Sequence, residues 1–61
     1  MTQAEVDQWC DAEVEKQVGK RWDDGKREWT KEMVVAALAM RYIGNEQVSD
    51  WAKRRQESEA A

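Results

Sequence analysis

Apolar positions in the first third of the chain recur in steps of four: Val6, Cys10, Val14, Val18 and Trp22, with Trp9 beside them. Steps of four overshoot the 3.6-residue helical turn, so such a stripe winds slowly around a helix instead of running straight. Thr2 and Glu5 precede it at the spacing of a capping box, in which hydroxyl and carboxylate satisfy early backbone donors reciprocally. Five acids (Glu5, Asp7, Asp11, Glu13 and Glu15) come before Lys16, Lys20 and Arg21, an order that suits the helix macrodipole. This pattern predicts a first helix over about 3–19, with Gly19 as its cap or with the helix running on to Trp22.

Asp23–Asp24–Gly25 interrupts the pattern. Two short acids that favour turns, followed by a glycine free to take positive φ, predict a turn. Beyond it lies Met33–Ile43, MVVAALAMRYI, in which ten of eleven residues are hydrophobic and Arg41 is the exception. A helix apolar on every side has to be enclosed, so this segment reads as a central strut covered by the rest of the chain or by a second copy. Its helix has two possible starts. Asp24 as N-cap places Trp29, Met33, Ala36, Ala37 and Met40 on one face; Thr30 as N-cap makes Trp29 and Val34 a hydrophobic staple. Nothing in Lys26–Arg27–Glu28 stops a helix, which favours the earlier start and a second helix over about 25–43, closed by Gly44.

Asn45 is a good N-cap for a third helix, with Glu46 in its first turn. Val48, Trp51 and Ala52 give that helix a narrow apolar edge, and Asp50 can pair with Arg54 four residues on. The expectation is an all-α, three-helix domain over residues 1–61. It has two long helices, antiparallel where adjacent, a shorter third over about 46–57, and a frayed tail at 58–61.

Composition changes this picture in one respect, the size of the core. A chain of 61 residues buries only about 60% of its unfolded surface. Six Val, one Leu and one Ile are its only large aliphatics besides three Met, below the roughly 20% of Val, Ile, Leu and Phe at which core formation becomes difficult. Four Trp supply apolar area instead. Chains this small usually add disulfides, a metal or a partner. Cys10 is the single cysteine and there is no His, so neither an internal disulfide nor the usual zinc frameworks can form. A homodimer through the second helix is the expected completion. No cofactor is expected.

Candidate chemistry is sparse. Without His there is no side chain poised as a base near neutral pH, and Cys10 sits on the apolar stripe, where a cysteine behaves as a small hydrophobe. DDGKRE lacks the ligand spacing of a calcium loop, and no glycine-rich phosphate loop is present. The chain reads as non-enzymatic. Trp9, Trp22, Trp29, Trp51, Met33 and Met40 are the candidate protein-binding residues, since indoles dominate interface hot spots and thioethers adapt to partners. The acidic face Glu5, Asp7, Asp11, Glu13 and Glu15 could offer carboxylates to a basic groove on a target. A small acidic adaptor, regulator or inhibitor of this kind fits a virus- or mobile-element-encoded modulator. No stretch reaches the ~18 apolar residues of a membrane span, and the free thiol fits the cytoplasm.

Basic clusters at Lys20–Arg21, Lys26–Arg27 and Lys53–Arg54–Arg55 support an alternative, a helix-turn-helix transcriptional regulator reading DNA through Lys53, Arg54 and Arg55. Over about residues 29–55, WTKE followed by an apolar helix and then GNEQVSDWAKRR resembles the homeodomain-like and Myb-like tri-helical group. In that group Trp-Thr-x-Glu often opens a helix, and a Trp lies on the helix that enters the major groove. Homeodomains carry an Asn three residues after that Trp, where this chain has Arg54, so the adenine-reading residue is missing and no functional residue is carried over. Nucleic-acid domains usually have a pI above ~9, whereas this chain has a net charge of −3 and a pI of about 4.9.

Overall fold

The computed structural model describes residues 1–60, and the side chains of residues 1–58. Three helices, α1 (Gln3–Gln17), α2 (Lys31–Arg41) and α3 (Glu46–Ala60), enclose one core, and a two-stranded hairpin, β1 (Arg21–Trp22) with β2 (Arg27–Glu28), joins α1 to α2.

The predicted capping box closes the N-terminus of α1. The Glu5 amide donates to the Thr2 hydroxyl at 3.2 Å, and the Thr2 amide donates to the Glu5 carboxylate at 3.0 Å. Val6, Cys10 and Val14 are buried on this helix, but the stripe stops there. Val18 is the C-cap and is 42% exposed, and Gly19 follows in the left-handed region at φ +89°. The helix therefore ends two residues earlier than expected, and Trp22 lies outside it.

The largest departure lies between residues 20 and 30. No helix starts at residue 25; the chain forms a hairpin, and α2 begins at Lys31. Asp23, Asp24 and Gly25 have φ of +56°, +54° and +80°; the last two are the positive values that a type I′ hairpin turn requires, and the Lys26 amide closes the turn on the Asp23 carbonyl at 3.1 Å. Arg21 pairs with Glu28 and Trp22 with Arg27. At the open end, the Gly19 amide donates to the Trp29 carbonyl and the Trp29 amide donates to the Lys20 carbonyl. Two residues thus face one, a bulge with its glycine in the left-handed conformation. With their backbone groups committed to this ladder, residues 26–29 cannot be helical. Thr30 is the N-cap, accepting from the Met33 amide at 3.3 Å, so the second of the two possible starts is the observed one.

α2 is the short helix, with 11 residues, and α3 is as long as α1, with 15. The expected order of lengths is therefore reversed. α3 also continues helically through residues 58–60, where a frayed tail was expected; residue 61 lies outside the described residues. Asn45 caps α3 as predicted, its side-chain oxygen accepting from the Gln47 and Val48 amides.

One face of each helix builds the core. Val6, Cys10 and Val14 of α1 meet Val34, Val35 and Leu38 of α2 and Val48, Trp51 and Ala52 of α3; Trp29, Ala39 and Tyr42 pack at the edge. Trp51 is 1% exposed and is the largest side chain in this cluster. Met33–Ile43 is thus enclosed on one side only. Ala36, Ala37, Met40 and Ile43 are exposed, so of the two expected covers the rest of the chain supplies only the inner one.

Candidate functional site

A line of polar contacts fastens α3 to α1 beside the core. The Gln3 side-chain amide donates to the Gln47 carbonyl at 2.9 Å, Arg54 donates to Asp7 at 2.8 Å, and Arg55 grips Asp11 through two hydrogen bonds. Residue numbers rise together along both helices, so α1 and α3 run in the same direction. The Trp51 indole N–H reaches Asp11 at 2.9 Å, which gives this otherwise buried ring a partner for its one polar atom. Arg54 also pairs with Asp50 at 3.1 Å, the i,i+4 contact expected from the sequence.

These contacts redistribute the charged candidates. Hydrogen bonds from Arg54 and then Gln3 hold the Asp7 carboxyl below its ordinary pKa. Burial pushes Asp11 up, but hydrogen bonds from Arg55 and Trp51 outweigh it and leave its pKa lowered. Glu5 is occupied by the capping box and Glu13 pairs with Lys16 at 3.4 Å, while Glu15 is exposed. Of the five predicted acidic-face residues, Asp7 and Asp11 thus fasten α3 to α1. Arg54 and Arg55, the candidate DNA contacts, are turned onto those same carboxylates, while Lys53 is exposed.

The aromatic and Met candidates separate into three places. Trp51 belongs to the core. Trp9, 40% exposed, meets Tyr42 edge-to-face at 5.7 Å. The two rings border an apolar depression of about 240 Å³ with Met1, Val6, Asn45 and Val48. Trp22 and Trp29 lie 5.9 Å apart on the hairpin, and the Arg27 guanidinium sits 5.3 Å over the Trp22 ring. Met33 is half-buried, Met40, 76% exposed, lies on the outer side of α2, and Ile43, 86% exposed, follows the helix end.

The spacing of Trp29, Met33, Ala36, Ala37 and Met40 predicts a shared helical face, and from Met33 onward they do share one. That face is turned away from the core. Ile43 lies beyond the end of α2, after the Tyr42 C-cap, and is also exposed.

A groove of about 480 Å³ runs between α1, the start of α2 and the second half of α3. Val14, Val18, Val35 and Trp51 line it together with Asp11, Glu15, Lys31 and Arg55, and Asp11 and Arg55 are already paired across it. Cys10 is fully buried, and burial, followed by the charges of Asp11, Asp7 and Glu13, pushes its pKa up and keeps the thiol neutral. Among the described residues no group of three or more potential ligands could hold a metal ion, and no helix is long and apolar enough to cross a membrane. Compared with known protein families, with curated proteins and with solved structures, the chain matches none.

Proposed function

We propose that this chain is a non-enzymatic protein-binding module whose working surface is the outer face of α2, and that its first partner is a second copy of itself. The observation that supports this reading is the exposure of Ala36, Ala37 and Met40, the last at 76%, on the side of α2 opposite the buried Val34, Val35 and Leu38, with Ile43 exposed at 86% just past the helix end. Isolated exposed apolar residues are ordinary, but a row of them along one helix marks an association surface.

The row is self-complementary. Small residues, Ala36 and Ala37, occupy its middle, with Met33 and Met40 on either side. Two such helices crossing antiparallel about a two-fold axis at the alanines would place Met33 of each copy against Met40 of the other, an isologous contact. The alanines permit close approach, and the flexible thioethers fill what remains. A core of nine buried residues, five of them Val, also leaves a small chain with reason to bury more surface in a partner. A cytoplasmic setting suits the single buried thiol. As an adaptor or regulator, the dimer would still present Trp9 to a further protein.

Met40→Glu tests this reading, because it places a charge within the proposed contact and outside the monomer core. Light scattering should report a dimer for the parent chain and a monomer for the variant, with helical content unchanged. A variant as dimeric as its parent would remove α2 from the interface.

A further inference from the structure

The hairpin gathers chemistry that neither the core nor the α2 face uses. Among the described residues, the backbones of its strands lie close to each other and to no helix. Four of the chain's ten cations, Lys20, Arg21, Lys26 and Arg27, fall within residues 20–28 against three carboxylates, Asp23, Asp24 and Glu28. The remainder of the chain has six cations and ten carboxylates.

Pairing sorts these charges onto two sides. Directly opposed residues share a face of a two-stranded ribbon, and successive residues alternate. Trp22 and Arg27 are opposed, and the backbone bonds of the bulge set Lys20 against Trp29. One face therefore carries Lys20, Trp22, Arg27 and Trp29, two cations and two indoles with no carboxylate among its paired positions; the nearest is Asp23 of the turn, 3.8 Å from Arg27. The 5.3 Å Arg27–Trp22 and 5.9 Å Trp22–Trp29 contacts agree with that assignment. Arg21 and Glu28 pair on the other face.

Trp29 packs against the helical core and backs this face, whereas Trp22 stands further out and is 37% exposed. Lys20 is exposed and has no ion pair among the described residues. Arg27 approaches Asp23 only at 3.8 Å, with both side chains more than half exposed.

We propose that the Lys20–Trp22–Arg27–Trp29 face of the hairpin binds single-stranded nucleic acid, with Trp22 stacking on a base and Lys20 and Arg27 meeting the flanking phosphates. Interleaved cations and aromatic rings are what single strands require, because every base offers a π-face and every linkage a charge. A duplex keeps its bases stacked on one another and gives Trp22 nothing to stack on. The acidic total of the chain does not prevent binding at this site. Its surplus carboxylates lie mostly on the helices, Asp7 and Asp11 are neutralised by Arg54 and Arg55, and exposed charges are screened over about 8 Å at physiological salt.

The test is fluorescence anisotropy of labelled oligothymidylate at low salt, with a duplex of equal length and polyglutamate as competitors. The parent chain should bind the single strand in preference to both. Its log K should fall with log salt at roughly −0.7 for each of the two phosphate contacts. Trp22→Ala should weaken binding at least about five-fold and Trp22→Phe should restore most of it, while Arg27→Gln should make the salt slope shallower. Circular dichroism on each variant should show the helices intact, since the hairpin lies outside the core. No binding at low salt would overturn the proposal, as would equal affinity for duplex, displacement by polyglutamate as effective as by oligothymidylate, or indifference to Trp22→Ala in a folded variant. Met40→Glu, which breaks the proposed dimer contact, should leave the affinity of each hairpin unchanged, so the two proposals stand or fall separately.

Discussion

The inner and outer faces of α2 are both apolar, and they differ in what covers them. Val34, Val35 and Leu38 lie against α1 and α3 with 7% exposure or less; Ala36, Ala37 and Met40, on the other side, are open to solvent. The difference shows that apolarity alone does not decide which side of a helix a small fold uses. The inner side is largely β-branched and compact, and it matches a row of small side chains, Val6, Cys10 and Val14, on α1. The outer side alternates Ala with flexible Met, which makes a poor core for three short helices and a serviceable contact for a second copy. Substitutions on the two faces should therefore have opposite signatures, one in stability and the other in association.

The largest effects belong inside. Trp51→Ala should cost roughly 3–5 kcal/mol, most of the stability available to a chain of this length, and urea denaturation should show a monomer largely unfolded. Met40→Ala on the outer face should shift the monomer's stability by no more than about 0.5 kcal/mol. A Trp51→Ala chain that melts like its parent would mean the core is organised around something else.

Next come the carboxylates that fasten α3 to α1. Asp11→Ala removes both Arg55 contacts and the partner of the buried Trp51 N–H. Arg55 is 40% exposed and water can resolvate it, so the cost should be about 1–2 kcal/mol, mostly from the indole. Asp7 and Asp11 both have lowered pKa values in the folded chain, so the folded state binds fewer protons than the unfolded one as pH falls. Their contribution should be complete above the unfolded carboxylate pKa of about 4 and should vanish as pH drops through the lower folded values. A pH series of thermal melts should show this acid limb, and Asp11→Ala should flatten it. An acid limb unchanged by that substitution would place the linkage elsewhere.

The smallest effect belongs to the hairpin turn. Asp24 has φ +54°, a conformation that glycine adopts at less cost, and Asp24→Gly should stabilise the turn by about 0.5 kcal/mol or less. Hydrogen exchange at the Lys26 amide, which closes the turn, should slow. Faster exchange there would argue that the aspartate side chain supports the turn in some other way.

Helix ends were legible in this sequence wherever a side chain caps them. Thr2 with Glu5, Asn45 and Gly19 are local signals, and each lies at or beside an observed boundary. The hairpin was missed although its signal was present: Asp24–Gly25 is a primed-turn dipeptide, and Trp22 and Trp29 flank it as strand formers. Lys26–Arg27–Glu28 has good helix propensity, and it was overridden by pairing with residues 19–22, a non-local contact that no window of propensity contains. The sidedness of α2 was hidden for a related reason. A segment that is apolar nearly all the way round offers no contrast between its faces, so its orientation is set by the shapes it meets on α1 and α3. Arg54 and Arg55 looked available for DNA because their partners, Asp7 and Asp11, lie more than forty residues away in the chain.

Sedimentation equilibrium over a wide concentration range, at low and moderate salt, tests the α2 interface most directly. The expected result is a reversible dimer whose constant hardly changes with salt, because apolar contacts hold it, and which is lost in Met40→Glu. A monomer at every concentration, folded and with its outer α2 face still bare, would contradict it.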